Sequence, residues 1–153
     1  REPDSPYKCF EFRERLLLLI IGQAQARVLV AEENFLAAQH TRLKVIAAGF
    51  SVVRAIYQGA KVLPAVAELK PDILVMSAAL PGQSSTALTR QLMAERPLAI
   101  ILLTKSNDEE MMKEAICAGA CSYLPKPVTT GRLSIALKFA AIYARQLCRE
   151  PIQ

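Results

Sequence analysis

With 153 residues, the chain is long enough for one domain with a substantial core, and no region is of low complexity. Its formal net charge of +5 at pH 7 comes from scattered basic residues, which favours a solvated surface over a nucleic-acid interface. The four cysteines show neither CxxC nor metal spacing, so we expect small core residues (Cys117 and Cys121 on a helix) and a reducing, cytoplasmic compartment.

Residues 1–26 form a leader that differs from the rest of the chain. A polar stretch whose charges cancel precedes an apolar run at residues 16–21, and Ala24-Gln25-Ala26 resembles a signal cleavage site. Because the run is only six residues long, it cannot span a bilayer. We therefore favour an extra helix or strand that packs on the domain or on a partner. The chain does not begin with methionine, which we interpret as a sign of excision from a longer protein.

From residue 27 to residue 150, short apolar runs alternate with amphipathic stretches. The runs predict strands at 27–31, 51–55, 73–78, 99–104 and 121–124. Helices are predicted at 35–48, after Gly59 through Val62 and Val66 to Leu69 with Pro64 in the first turn, at 84–95, at 108–118 with Asn107 as its cap, and at 130–150. In the first helix, the residues at helical spacing, which we expect to face the core, are Leu36, Leu43, Val45, Ile46 and Ala47.

Five strands that alternate with five helices predict an α/β fold with a doubly wound parallel sheet, covered by helices on both faces. The third strand is apolar throughout and is bounded by Pro71 and by Pro81-Gly82, as expected for a strand buried on both faces. Sites in such sheets lie outside the carboxyl ends of the strands. Ser77, at the tip of the third strand, should therefore decide the chemistry of the site.

Several spaced motifs give residues 27–147 a resemblance to the receiver domain of response regulators, a CheY-like fold with strand order 2-1-3-4-5. An acidic pair, Glu32-Glu33, follows the first strand, and Pro71-Asp72 and Leu80-Pro81-Gly82 flank the third. A hydroxyl ends the fourth strand, an aromatic residue lies in the fifth, and a Lys-Pro pair follows it: Thr104, Tyr123 and Lys126-Pro127. A flavodoxin would need a phosphate-cradling first loop, and a dinucleotide-binding domain would need GxGxxG, which is absent.

The resemblance implies a phosphorylation pocket. In the family, an aspartate on the third strand takes a phosphoryl group from a phosphohistidine, the acidic pair holds Mg²⁺, and the lysine pairs with the acyl phosphate. The hydroxyl and the aromatic then move and alter the face made by the fourth helix and the fifth strand. These roles would fall on Glu32, Glu33, Lys126, Thr104 and Tyr123.

The departure from the family is Ser77, which stands four residues before Pro81 in place of the aspartate. Serine is a neutral alcohol, and the sequence shows no base near it. With one carboxylate lost and glutamates in the pair, Glu32 and Glu33 are weak Mg²⁺ candidates, so we expect no cofactor. Phosphoryl switching should be lost, with Lys126 paired to one of the glutamates. A regulated phosphosite at Ser77 or Asp108 is the alternative.

The last helix shows two apolar faces. The core stripe is predicted to consist of Leu133, Leu137, Ala140, Ala144 and Leu147. A second face with Phe139, Ile142 and Tyr143 should meet a protein partner, a second copy or the leader. A homodimer would use the face of the fourth helix, the fifth strand and the fifth helix, as family receivers do.

These observations predict a phosphorylation-independent pseudo-receiver, not an enzyme, that acts as an interaction or dimerisation module in signal transduction or transcriptional regulation. The alternative is the receiver half of an RNA-binding antiterminator or a DNA-binding regulator, with nucleic acid contacted only through a missing output domain. A working aspartyl-phosphate receiver is disfavoured by Ser77.

Overall fold

A computed structural model of the protein describes residues 26–147. The predicted leader, apart from Ala26, lies outside the described residues, and so do residues 148–150 of the predicted last helix.

Within residues 26–147, five strands alternate with five α-helices, as predicted. The strands are β1 (Arg27–Ala31), β2 (Ser51–Ile56), β3 (Ile73–Ser77), β4 (Ala99–Thr104) and β5 (Ser122–Pro125). The helices are α1 (Phe35–Ala47), α2 (Val62–Leu69), α3 (Ser85–Glu95), α4 (Glu109–Ala118) and α5 (Thr130–Leu147), and a 3-10 turn, Gly59–Lys61, precedes α2.

All strand pairs are parallel, and the sheet has the order β2-β1-β3-β4-β5, which confirms the predicted fold. Every residue of β3, the central strand, is buried. The register pairs Ala31 of β1 with Met76 of β3, and Ser77 of β3 with Leu103 of β4. The carboxyl ends of these three strands therefore lie side by side, and the residues that follow them meet at one edge.

The sheet divides the core into two layers. Ile73 and Val75 of β3 pack on the side of α1 and α5, whereas Leu74 and Met76 pack on the side of α2, α3 and α4. This alternation along one strand explains why β3 is apolar throughout, since neither of its faces meets solvent.

The helix ends follow the capping signals closely. The side chain of Ser84 accepts a hydrogen bond from a backbone N–H at the start of α3, as predicted. Pro64 is the third residue of α2, where its missing N–H has no helical partner. Helix α4 begins one residue later than predicted, because Asp108 rather than Asn107 is its cap and accepts from the N–H of Glu110.

The predicted buried face of α1 is wrong for four of its five residues. Val45 is buried, but the other four are exposed: Leu36, Leu43, Ile46 and Ala47. Ala38 and Thr41 are buried in their place. Small side chains at these two positions let α1 approach the sheet closely, which larger residues would prevent.

The cysteines also differ from expectation. Cys117, on α4, is exposed, and Cys121 lies between α4 and β5 rather than on a helix. Cys121 is half-buried against the core, and burial raises the pKa of its thiol.

Helix α5 buries four of the five residues of its predicted core stripe, and Leu147 is half-buried. Phe139 is 55% exposed and Ile142 is half-buried on the other side of the helix. Tyr143 does not belong with them as predicted, because its side chain packs against the core. No helix among residues 26–147 has the length and apolar character needed to cross a membrane.

Candidate functional site

The site lies at the edge of the sheet where β1, β3, β4 and β5 end. Glu32 and Glu33 follow β1, Ser77 ends β3, and Lys126 follows β5. The structure thus brings together four of the six pocket residues that the sequence predicts. The other two, Thr104 and Tyr123, lie on β4 and β5 beside a neighbouring cavity.

Lys126 forms a buried ion pair with Glu32. Its Nζ lies 2.6 Å from Oε2 of Glu32, and the two side chains are 15% and 1% exposed. The hydroxyl of Thr41, on α1, donates to the other carboxylate oxygen, Oε1, at 2.7 Å. Both oxygens of Glu32 therefore have partners, which compensates the loss of water around a buried charge.

Glu33 is held by three donors. Lys105 Nζ lies 3.1 Å from its Oε2, while Lys126 Nζ at 3.4 Å and Ser77 Oγ at 3.2 Å approach its Oε1. Burial alone would raise the pKa of Glu33, but the bond from Lys105 and the two lysine charges hold it below the ordinary value of 4.5. The site thus joins two glutamates to two lysines, with equal numbers of formal negative and positive charges.

Ser77 is almost completely buried. Its hydroxyl donates to Glu33 and accepts a hydrogen bond from the N–H of Ala79 at 3.2 Å. The prediction that this serine lacks a nearby base is therefore wrong, because β1 and β3 are neighbours and place Glu33 beside it. However, a carboxylate with a lowered pKa is a weak proton acceptor, so Glu33 does little to activate the hydroxyl.

Thr104 and Tyr123 take no part in this network of charges. Thr104 accepts from the N–H of Ser106 at 3.0 Å in a local turn. The hydroxyl of Tyr123 is buried and has no hydrogen-bond partner among the described residues. Both side chains line a cavity of about 220 Å³ that also involves Met112 of α4.

Two site residues escaped the sequence analysis, Lys105 and Thr41. Lys105 directly follows β4, and its position at the common edge of the parallel strands is the signal that could have found it. Thr41 gives no such signal, since its role depends on which face of α1 is buried. His40, expected to be a surface residue of α1, is exposed and lines a cleft of about 430 Å³ that Glu32, Glu33 and Lys126 also line.

Comparison with known proteins identifies the family. The sequence profile of the response regulator receiver domain matches residues 28–138. The chain belongs to this family. As a receiver, it is a signalling module of the kind used in two-component regulation.

Curated relatives of this receiver are transcriptional regulators. The chain is 35% identical over 94 residues to the DNA-binding transcriptional regulator NtrC of Escherichia coli K12, a match over 61% of the chain and 20% of NtrC. It is 30% identical over 107 residues to the transcriptional regulatory protein CitT of Bacillus subtilis 168, over 69% of the chain and 47% of CitT. The matched regions are thus a fifth and about half of these relatives.

A solved structure confirms the receiver fold. The crystal structure of a response regulator receiver domain protein from Clostridium thermocellum superposes with a TM-score of 0.73 at 27% identity. The match covers 80% of this chain and 98% of that one.

The family implies a Mg²⁺ ion, and the carboxylates that would hold it here already have partners. Glu32 and Glu33 are the two carboxylates at the site, and each of their four oxygens already accepts from Thr41, Ser77 or a lysine. Within residues 26–147, no three His, Cys, Asp or Glu side chains are grouped closely enough to hold a metal ion. Mg²⁺ needs oxygen ligands that are free to form a tight octahedral shell.

Replacing Lys126 tests the buried pair. Lys126→Met retains most of the aliphatic stem but leaves Glu32 without its cation, so we expect a loss of about 3 kcal/mol in the free energy of unfolding. Lys105→Met is the matched control, because Lys105 is 69% exposed and its pair should contribute only about 0–1 kcal/mol. Urea denaturation measures the free energy of unfolding of both variants and of the wild type. Equal midpoints for the wild type and Lys126→Met would mean that the buried pair does not stabilise the fold.

Glu33 predicts a specific dependence of stability on pH. Since its pKa is lowered in the folded state, its contribution is complete above 4.5 and is lost as the pH falls through the folded-state value. Urea denaturation of the wild type and of Glu33→Gln should therefore show a difference at pH 7 that shrinks steadily below pH 4.5. If the difference in the free energy of unfolding between the two proteins stayed constant down to pH 3, the charge of Glu33 would not contribute to stability.

Proposed function

We propose that this receiver works without phosphoryl transfer, as a protein-interaction module in signal transduction or transcriptional regulation. The observation that carries the proposal is the pairing of Ser77 with a carboxylate that two lysines already neutralise. In a pseudo-receiver of this kind, the signal is the presence or absence of a partner rather than the state of a phosphorylated residue.

The chemistry of the pocket supports the loss of switching. Phosphoryl transfer is catalysed mainly by cations and by a well-placed acceptor, with little other covalent chemistry for the protein to perform. Here the acceptor would be a buried hydroxyl next to a weak base, and a serine phosphate ester lacks the lability of an acyl phosphate. We expect Mg²⁺ to bind weakly or not at all, so the developing charge would lack its usual counter-ion.

Self-association is the interaction that the surface favours. Exposed apolar side chains occur on α4, at Met112 and Ile116, and on α5, at Phe139. Together with β5 at the sheet edge, these helices form the face that we propose for a homodimer. Since no phosphorylated residue would control this face, pairing should need no phosphodonor.

The second candidate is the receiver half of a larger DNA-binding or RNA-binding regulator. It is favoured by the relatives, because the chain corresponds to only a fifth of NtrC, which is named as a DNA-binding regulator. In that case the nucleic acid would be bound by an output domain, and the module proposed here would place that domain or pair it with a second copy.

A small phosphodonor tests the central proposal. Incubation with acetyl phosphate and Mg²⁺ should leave the intact mass of the protein unchanged, because Ser77 is buried and poorly activated. The variants Ser77→Asp and Ser77→Asp/Glu33→Asp are the comparison, and we expect the double variant to regain more phosphorylation than the single one. A mass increase of one phosphoryl group in the wild type, mapped to Ser77 or to any other pocket residue, would refute the proposal.

Sedimentation velocity tests the homodimer. We expect the wild type to sediment as a dimer at micromolar concentrations without a phosphodonor, and Phe139→Glu/Ile142→Glu to shift it to a monomer, because two charges would be buried in the interface. Ala67→Glu/Ala94→Glu adds the same charge at exposed positions on α2 and α3 and should not change the dimer. A wild type that remains monomeric at high micromolar concentration would exclude self-association through this face.

A further inference from the structure

A row of large apolar side chains faces solvent on α1. Leu36, Leu43 and Ile46 are 65%, 58% and 44% exposed, and none of the residues 26–147 covers them. At spacings of seven and three residues they share one side of the helix, which we call the α1 outer stripe. Phe35 and Tyr57, whose rings meet edge to face at 6.1 Å, continue the apolar surface at one end.

Such a row needs an explanation. Single exposed leucines are common on soluble proteins, but several large apolar side chains exposed along one side of a helix usually mark a contact. The polar side chains of α1 do not follow the usual arrangement either, since Thr41 points inward to Glu32 while leucines point outward. The α1 outer stripe lies on a different helix from the residues of α4 and α5 proposed for the homodimer.

The described chain begins at the end of the sheet where α1 ends. Arg27, at the start of β1, pairs with Ser51, at the start of β2. Ser51 follows the last residue of α1, Ala47, by only four positions. The C-terminal half of α1, which carries Leu43 and Ile46, therefore lies at the same end of the sheet as the start of β1.

The sequence just before β1 supplies a matching apolar segment. Residues 16–21 consist only of leucine and isoleucine, and residues 22–25 separate them from Ala26. The step from residue 21 to residue 26 spans at most about 17 Å. The α1 outer stripe, from Ile46 back to Leu36, is about 15 Å long. Six residues in extended conformation are about as long as this stripe, and their connection to Ala26 starts at the end of the sheet that carries Ile46. Residues 16–21 also precede residue 28, where the match to the receiver profile begins, so they are additional to the shared module.

We propose that residues 16–21 dock on the α1 outer stripe of the same chain. The short connection favours this occupant over a second copy, because it keeps the segment at an effective local concentration in the millimolar range. Both surfaces are apolar, and docking removes both from water. Docking would add a layer over α1 from outside residues 28–138, the part of the chain that matches the receiver profile.

Thiol labelling of the full chain tests the docking. The variant Leu43→Cys places a reporter in the α1 outer stripe, and native Cys117, which is exposed on α4, provides an internal reference. A maleimide reagent followed by peptide mass mapping gives both rates, each normalised to the rate in denaturant. We expect the reporter to react about tenfold more slowly than Cys117, because the docked segment must open first. Adding Leu17→Ser/Leu18→Ser/Leu19→Ser should restore the rate to that of Cys117.

Two results would overturn the proposal. A reporter that reacts as fast as Cys117 in the otherwise unchanged chain would show that the stripe is uncovered. Protection that persists in the triple serine variant would show another occupant, and its dependence on protein concentration would identify a second copy. Leu36→Cys repeats the measurement should Leu43→Cys fail to fold. Because Cys117 is next to Ile116 on α4, in the face proposed for the homodimer, both rates are also measured in the Phe139→Glu/Ile142→Glu background. Slow labelling of the reporter that persists in this background supports the docking independently of the homodimer.

Discussion

The ion pair between Lys126 and Glu32 holds the functional end of the molecule together. The carboxylate is buried, and its two oxygens join the loop after β5, through Lys126, to helix α1, through Thr41. Close by, Lys44 of α1 donates to the carbonyl of Val128, just before α5, at 2.8 Å. These polar bonds link α1 to the chain between β5 and α5, at the carboxyl edge of the sheet. Removing one partner would leave a buried charge without compensation, which is why the pair constrains everything around it.

The pair is also part of a charge balance that bears on whether the pocket binds a metal ion. In a pocket with three carboxylates, one lysine leaves an excess of negative charge that a divalent cation can satisfy. Here Ser77 replaces one carboxylate, and Lys105 and Lys126 balance the remaining two. The pocket is therefore neutral without any ligand, and a metal ion would have to displace existing bonds. The replacement at Ser77 therefore affects both the phosphoryl acceptor and the metal ion, and both effects support the proposed loss of phosphoryl switching.

Much of the fold was predictable because it depends on local patterns. The apolar run of β3, the caps of α3 and α4 and the turn at Pro81-Gly82 each indicate an element within a few residues of its observed place. The gathering of Glu32, Glu33, Ser77 and Lys126 was also predictable, because the ends of parallel strands share one edge.

Other features depend on contacts that no short pattern encodes. The bond from Ser77 to Glu33 requires the register of β1 against β3, which joins residues 44 positions apart. The buried face of α1 was misassigned because Ala38 and Thr41 look less apolar than Leu36 and Leu43, yet only the small residues allow close packing. Tyr143 was likewise placed with Phe139, although the helix turns its ring toward the core.

A Mg²⁺ titration followed by NMR tests the central claim, that the pocket is neutralised by its own lysines, most directly. Backbone amide signals of Glu33, Ser77 and Lys105 would be recorded as the ion is raised to millimolar concentrations at constant ionic strength. We predict no saturable shift at these residues in the wild type, and a saturable shift in Ser77→Asp/Lys105→Met, where one carboxylate is added and one cation removed. Saturable binding to the wild-type pocket at submillimolar Mg²⁺ would contradict the claim.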